Sequence, residues 1–280
     1  MNSTEKTLDL LRANRPVILG ILNVTPDSFS DGGQYGAVNS ALERAREMEL
    51  EGADMIDVGG ESTRPGAGPV SAGEEIHRVV PVIEAIRQHS NVPISIDTSK
   101  PEVMRAAVAA GANLINDVYA LRAPGAVEAC AELNVPVCLM HMQGEPRTMQ
   151  HRPEYQNVVA EVRKFLRERA QACIERGISE QHIILDPGFG FGKSLEHNLQ
   201  MLANIEAFCG LDFPVLVGIS RKSMLGELLE RPVNERVIGS VTAAVIACIK
   251  GVRFFRVHDV TETVDALKLC DAVRKAMNNE

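Results

Sequence analysis

Apolar and β-branched residues gather in eight short runs along the chain, at 17–22, 55–58, 92–96, 112–115, 135–140, 182–185, 214–219 and 253–257. Each run is too short for a helix and most are bounded by Gly or Pro, so each reads as a β-strand. The intervening segments carry helical period. Val38, Leu42, Ala45 and Met48 share one face before Gly52 stops the helix. Ile76, Val79, Val80 and Ile83 do the same behind Ser71 and Glu74, the spacing of a capping box. After the third strand, Ser99 is expected to cap a helix with Pro101 near its first turn and Glu102 completing a second box. The longest helical pattern covers 155–177, with Val158, Val159, Val162, Leu166, Cys173 and Ile174 on or near one stripe.

Eight strands, each followed by a helix at about 35 residues per unit, are the count for a closed (β/α)8 TIM barrel of the α/β class. The rival, an open doubly wound sheet, usually needs fewer strands. No linker or low-complexity stretch divides the 280 residues. The expectation is therefore an N-terminal lead-in over 1–16 and one barrel over 17–277. The long irregular segments, 25–37, 60–73 and 142–153, all follow strands.

Composition narrows the partners. With 29 basic against 37 acidic residues the net charge is −8, which argues against a polyanion or an anionic membrane as the main partner. Aromatics are 4% with no Trp, so stacking platforms for bases are not expected. No apolar run approaches the ~20 residues of a membrane helix, and the N-terminus lacks a signal-peptide core. The six cysteines have no C-x-x-C spacing and sit mostly in apolar surroundings, as buried free thiols do in a reducing cytoplasm.

The residues that close the strands carry the chemical information. In order they are Asn23, Asp57, Asp97, Asn116 with Asp117, His141, Asp186, Ser220-Arg221-Lys222, and Arg256 with His258. In a barrel all eight C-terminal ends ring one mouth, where the active sites of this fold are built. Three acids and two Asn suit a flat heterocycle with an amidine-like edge, which a carboxylate grips through two parallel N–H bonds. Lys222, Arg256 and His258, with Arg64 on the second loop, suit a phosphate or pyrophosphate. Plainer roles compete at several positions. Asp57 precedes Gly59-Gly60 and can simply order that turn, and His141 reads as a satisfied histidine at the barrel lip. Lys222 beside Arg221 also resembles a Schiff-base lysine, whose amine needs a lowered pKa. The run Gly188-Phe-Gly-Phe-Gly-Lys-Ser194 fails the phosphate-loop pattern, because Pro187 stands where its first Gly is required, and reads as a flexible lip. The absence of His-x-His and His-Glu-x-x-His argues against a catalytic zinc held by the protein.

Eight segments together resemble the dihydropteroate synthase family. They are Asn23-Val-Thr-Pro-Asp-Ser-Phe-Ser-Asp31, Asp57-Val-Gly-Gly-Glu-Ser-Thr-Arg-Pro65, Asp97-Thr-Ser-Lys100, Asn116-Asp117, Met140-His141-Met142, Asp186-Pro-Gly-Phe-Gly-Phe-Gly192, Ser220-Arg-Lys-Ser223 and Arg256-Val-His-Asp259. The likeness runs from about residue 17 to 275, and its first two segments are highly specific. It implies condensation of 6-hydroxymethyl-7,8-dihydropterin pyrophosphate with p-aminobenzoate, in folate synthesis. By position, it implies a pterin against Asp97, Asn116, Met140, Asp186, Gly218 and Lys222. It implies pyrophosphate against Asn23, Arg64, Arg256 and His258, with Mg²⁺ at Asn23. It places p-aminobenzoate against Phe29, Thr63, Pro65, Lys222 and Ser223, and names Asp97, Lys222, Asp31 and Arg64 as the catalytic set. A homodimer and sulfonamide sensitivity are further implications of the family. Periodicity leaves open whether the apolar helix 237–249 is buried in the barrel shell or forms a subunit contact.

Overall fold

The structure, a computed structural model, describes residues 2–24, 33–62, 68–144, 149 and 153–277. Strands β1 (Val17–Asn23), β2 (Met55–Gly59), β3 (Ile94–Asp97), β4 (Leu114–Asp117), β5 (Val137–Met140), β6 (Ile183–Asp186), β7 (Leu216–Val217) and β8 (Phe254–Val257) fall on the eight apolar runs. All pairings are parallel, in the order β6-β5-β4-β3-β2-β1-β8-β7. A single bridge, Leu185 to Val215, joins the two ends and closes the (β/α)8 barrel. Its hydrogen bond runs from the Leu185 N–H to the Pro214 carbonyl at 2.9 Å. Closure leaves no open sheet edge and excludes the doubly wound alternative.

Helices α1 (Ser3–Arg12), α2 (Gly33–Leu50), α3 (Ala72–His89), α4 (Pro101–Ala110), α5 (Ala126–Leu133), α6 (Val158–Ile174), α7 (Leu195–Ala203), α8 (Glu206–Cys209), α9 (Ser223–Leu229), α10 (Val237–Ile249) and α11 (Val260–Met277) complete the chain. Alternate strand residues feed two separate cores, as the period of two requires. Val58, Ile96, Leu139, Leu185 and Phe255 face the helical shell. Val17, Leu19, Met55, Leu114, Cys138, Ile184, Leu216 and Phe254 fill the barrel interior. Leu10 and Leu11 of α1 join that inner core, so the lead-in plugs the floor of the barrel. The plug is seated by a capping box between Asn2 and Glu5. It is tied to the barrel by Asn113, just before β4, whose Nδ2 donates to the Ser3 and Thr4 hydroxyls at 3.2 and 3.4 Å. Each leucine contributes about 1.5–3 kcal/mol by leaving water.

Two capping expectations are corrected. Ser71 accepts the Glu74 N–H at the start of α3, but the Glu74 carboxylate bonds Arg78 instead of returning to the cap. Helix α4 has Lys100 at its cap position without a side-chain bond. The Ser99 hydroxyl donates to Asp117, a charged acceptor that outcompetes a cap interaction for it. Helix α10 is buried in the barrel shell along one face only. Ser240, Ala243, Ala244, Ala247 and Cys248 are buried, while Ile238 and Ile249 are 82% and 65% exposed.

Candidate active site

The residue parity that fills the floor of the barrel with apolar side chains also selects which strand-end groups point into its mouth. One inward row runs in register through Asn23, Gly59, Asp97 and Asn116. Asp57 lies one layer deeper, in register with Ile21 and Ser95. Met140 and Asp186 are partners across β5 and β6, and Arg256 is two residues beyond the inward Phe254. A Cβ on Gly218 would meet Arg256 carbons at 3.8 and 3.9 Å, which places that glycine beside the arginine.

Arg256 spans the barrel mouth. Its Nε donates to Asp57 Oδ2 at 2.6 Å and its Nη2 to Asp97 Oδ2 at 2.7 Å. The two carboxylates hold the guanidinium charged and push its pKa up against the effect of burial. Asp57 is fully buried, and its Oδ1 has no partner among the described residues. It is therefore an anchor for Arg256 rather than a residue that merely orders the Gly59-Gly60 turn. Burial raises the Asp97 pKa to about 7, against the attraction of Arg256 and with help from the charge of Asp57.

On the opposite wall stand Asp186 and Lys222. Burial raises the Asp186 pKa, opposed mainly by the Lys222 charge and by the Gly188 N–H, which donates to Asp186 Oδ1 at 2.7 Å. Burial lowers the Lys222 pKa to about 7; Asp186 opposes the shift and Arg256 adds to it. The Lys222 amine donates to the Phe189 carbonyl and lies 4.1 Å from the centre of the Phe191 ring. Phe191 packs on a cluster of Val118, Met140, Met142 and Met149, giving the mouth one apolar wall beside its charged ones. Asn23 is exposed at the end of β1, and Ser223 is exposed at the first turn of α9. His258 is joined to Ser220 through Nδ1 at 3.1 Å, and its N–H donates to the same hydroxyl at 3.2 Å.

Several polar strand-end groups serve the scaffold. Asp117 points away from the inward row. Its Oδ1 accepts from Ser99 and from the Tyr119 N–H at 2.8 Å, and its Oδ2 accepts from the Leu121 N–H at 2.7 Å. These bonds fix a turn in which Ala120 and Leu121 take positive φ. Arg221 also has positive φ and pairs with Asp259, so it does not depress the Lys222 pKa. His141 is the satisfied lip histidine expected of it: burial holds it neutral, with its pKa lowered to about 2. Its Nδ1 meets Lys193 Nζ at 3.0 Å.

The segment after Asp186 is not a flexible lip. Gly188, Gly190 and Gly192 have φ of +70°, +77° and +61°. A Cβ at Gly188 would lie 1.9 Å from the His141 carbonyl oxygen, and one at Gly192 would lie 2.4 Å from that of Gln143. The glycines thus allow a close backbone approach rather than mobility. Sequence reasoning also missed the base of the second loop. Lys100 bonds Glu61 and the fully buried Glu75, Glu61 accepts from the Val70 N–H at 3.2 Å, and Arg78 donates to the Gly60 carbonyl at 2.9 Å. The only sequence signal for this clamp is a Lys two residues after the Asp97-Thr98 pair, which is too common to single out. Phe29, Asp31, Thr63, Arg64 and Pro65 lie outside the described residues.

A family model described as pterin binding enzyme matches residues 19–258. The chain is 52% identical over 274 residues to the dihydropteroate synthase of Haemophilus influenzae, covering 98% of each. The chain belongs to the dihydropteroate synthase family. Among solved structures of that family, it is similar to the Yersinia pestis dihydropteroate synthase in a sulfonamide drug complex, at a TM-score of 0.89 and 52% identity over 93% of this chain and 95% of that one. It is similar to the Xanthomonas albilineans dihydropteroate synthase with 4-aminobenzoic acid, at 0.88 and 53% over 93% and 94%. Family membership sets aside the Schiff-base reading of Lys222, whose lowered pKa follows from burial and the nearby Arg256 charge.

Proposed function

We propose that the chain transfers the pterinylmethyl group of 6-hydroxymethyl-7,8-dihydropterin pyrophosphate to the amine of p-aminobenzoate, releasing pyrophosphate and 7,8-dihydropteroate in folate biosynthesis. The observation that carries this reading is the inward row. Asp97, Asn116 and Asp186 share one mouth with Arg256 and Lys222, so one small molecule reaches both the ring-gripping acids and the cations.

The pterin ring lies with its amidine edge on Asp186, flanked by Asn116 and Asp97 and stacked near Met140, with Gly218 leaving room for its close approach. Lys222 serves the ring carbonyl and N5 side. The diphosphate faces Asn23, Arg64, Arg256 and His258. Arg256 uses two of its five N–H groups on Asp57 and Asp97, leaving three for phosphate oxygens. The aniline nitrogen of p-aminobenzoate is neutral at pH 7, so its lone pair needs no strong base. The difficult event is C–O cleavage: the bond's electron pair leaves with pyrophosphate, and a benzylic-type cation remains, delocalised into the dihydropterin. Fixed cations around the departing oxygens and the Asp97 carboxylate beside the ring stabilise the two charges as they separate. The amine then forms the C–N bond, and its proton passes to solvent or to the released pyrophosphate. We assign Phe29, Thr63, Pro65, Lys222 and Ser223 to the aminobenzoate and Asp31 and Arg64 to the catalytic set; exclusion of water on this side keeps the cation for the amine. A sulfonamide, being an arylamine of similar shape, competes for that position.

Among the described residues no cluster of three or more His, Cys, Asp or Glu side chains could hold a metal ion. Mg²⁺ needs no such cage: it keeps several waters and takes other ligands from substrate phosphates. Asn23 fits as its protein oxygen, since Oδ1 faces the same space as the Asp97 carboxylate, both 3.9 Å from a Cβ built on Gly59. The ion supplies charge neutralisation to the leaving group when bound. A homodimer is supported by Ile238, Ile249, Leu269, Val273 and Met277, exposed apolar residues of the adjacent helices α10 and α11. No described helix is long and apolar enough to cross a membrane, and free, mostly buried cysteines suit a reducing cytoplasm.

A pyrophosphate-release assay, run with and without p-aminobenzoate and Mg²⁺, tests the reaction. Release that needs the pterin ester and rises with both additions is expected. Pterin binding without any pyrophosphate release in the complete mixture would make the chain a pterin-binding domain instead.

A further inference from the structure

Lys193 is 2% exposed, yet it makes no ion pair with any described carboxylate. Its Nζ instead lies 2.8 Å from the Gly188 carbonyl oxygen, 2.9 Å from that of Phe191 and 3.0 Å from His141 Nδ1. The His141 carbonyl oxygen lies 3.5 Å away as a fourth partner, so the amine is enclosed by three backbone oxygens and a ring nitrogen. A lysine at this depth is costly to bury, so the arrangement calls for a function. The segment it ties together carries two groups of the site. Gly188, whose carbonyl it holds, donates its own N–H to Asp186 Oδ1. Phe189, enclosed between the two anchored carbonyls, offers its oxygen to Lys222. Neighbouring bonds fix the rest of the segment: the Gly190 N–H donates to Asn198 Oδ1 at 2.8 Å, and the Tyr155 hydroxyl donates to the Gly192 carbonyl at 2.8 Å.

We propose that Lys193 is a positioning residue whose buried amine cross-links residues 188–191 and His141, and thereby aims the Asp186 carboxylate and the Lys222 amine at the pterin. The inference rests on the pterin reading of the site given above. Without the amine, Gly188 and Phe191 lose their common donor. The Gly188 N–H and the Phe189 oxygen then move relative to the ring, and a displacement of about 1 Å at a remote residue costs up to roughly a hundredfold in rate.

The test uses the full-length Lys193→Met, which keeps the stem and removes the donors, with Asp186→Asn as control. Affinities for 6-hydroxymethylpterin and for its pyrophosphate ester are measured by isothermal titration well below the melting temperature. In Lys193→Met both dissociation constants are expected to rise at least tenfold, with the ratio between them unchanged, because the diphosphate side is untouched. A lysine with only a structural role would lower the melting temperature and leave bare-pterin affinity within twofold, which overturns the proposal. If Asp186→Asn weakens pterin binding while Lys193→Met does not, the proposal alone falls. If Asp186→Asn has no effect, the pterin reading falls and takes the proposal with it. Should Lys193→Met lack a cooperative melt, His141→Asn and His141→Leu replace it. Both lose the ring packing on Phe165, and only Asn keeps an acceptor for Lys193. Tighter pterin binding by His141→Asn is expected, and equal affinities would overturn the assignment.

Discussion

Arg256 is the cation that pairs with two buried carboxylates, Asp57 and Asp97, and its replacement by methionine would leave both without that partner. The substitution keeps a long apolar stem but removes two charge-assisted hydrogen bonds, at 2.6 and 2.7 Å, to buried carboxylates. Such bonds are worth about 1.5–3 kcal/mol each. Breaking a buried ion pair from one side costs about 3–5 kcal/mol, because the remaining charge is stranded. Asp57 would suffer most, since its Oδ1 has no partner among the described residues and Oδ2 would lose its own. The expected loss is thus about 3–5 kcal/mol at pH 8, a fall of roughly 5–9 °C in melting temperature for a chain of this size. The sign of the pH dependence follows from Asp97, held at about 7 in the folded protein. A carboxyl raised on folding stabilises the fold fully below its unfolded value, about 4, and loses that contribution as pH climbs through 7. Arg256→Met raises it further, so the deficit relative to the parent should widen between pH 6 and 8. Adding Asp57→Asn should recover part of the loss. Urea and thermal unfolding of the three proteins at both pH values read this directly. A deficit under about 1 kcal/mol at pH 8, or one that narrows as pH rises, would refute the buried triad.

Asp97→Ala should lower turnover roughly 10²–10³-fold in the pyrophosphate-release assay, since it removes a charge fixed beside the developing cation. Lys222 loses its proton as pH rises through about 7, so the KM for the pterin ester should increase above that pH in steady-state kinetics. A profile flat to pH 9 would show that its charge is not used. Gly188→Ala places a Cβ 1.9 Å from the His141 carbonyl at a φ of +70°. The left-handed conformation alone costs about 1–2 kcal/mol. A lower melting temperature with weaker pterin binding is expected, and unchanged binding would separate this turn from the site.

Much of the fold is legible in the chain because a strand buried on both faces leaves an uninterrupted apolar run, and Gly or Pro marks its ends. All eight strands were locatable that way. The strand-end rule also found Asp97, Asn116, Asp186, Lys222 and Arg256, but it could not sort inward from outward groups where two polar residues adjoin. Asn116 faces the mouth while Asp117 braces a turn, and Lys222 faces Asp186 while Arg221 reaches back to Asp259. Counting by twos from the floor residues Leu114 and Phe254 resolves the strand residues Asn116 and Arg256. The role of α1 was hidden because a plug is recognisable only once there is a barrel to close. Lys193 was hidden because its partners are mostly backbone carbonyls, which a sequence does not display.

In the proposed reaction one ligand spans the two walls, with its ring on Asp186 and its diphosphate toward His258. Isothermal titration of 6-hydroxymethylpterin and of its pyrophosphate ester against Asp186→Asn and His258→Ala tests it most directly. Asp186→Asn should weaken both ligands by the same factor, and His258→Ala should weaken the ester alone. Equal losses for the two ligands in His258→Ala, or an unaffected bare pterin in Asp186→Asn, would contradict the account.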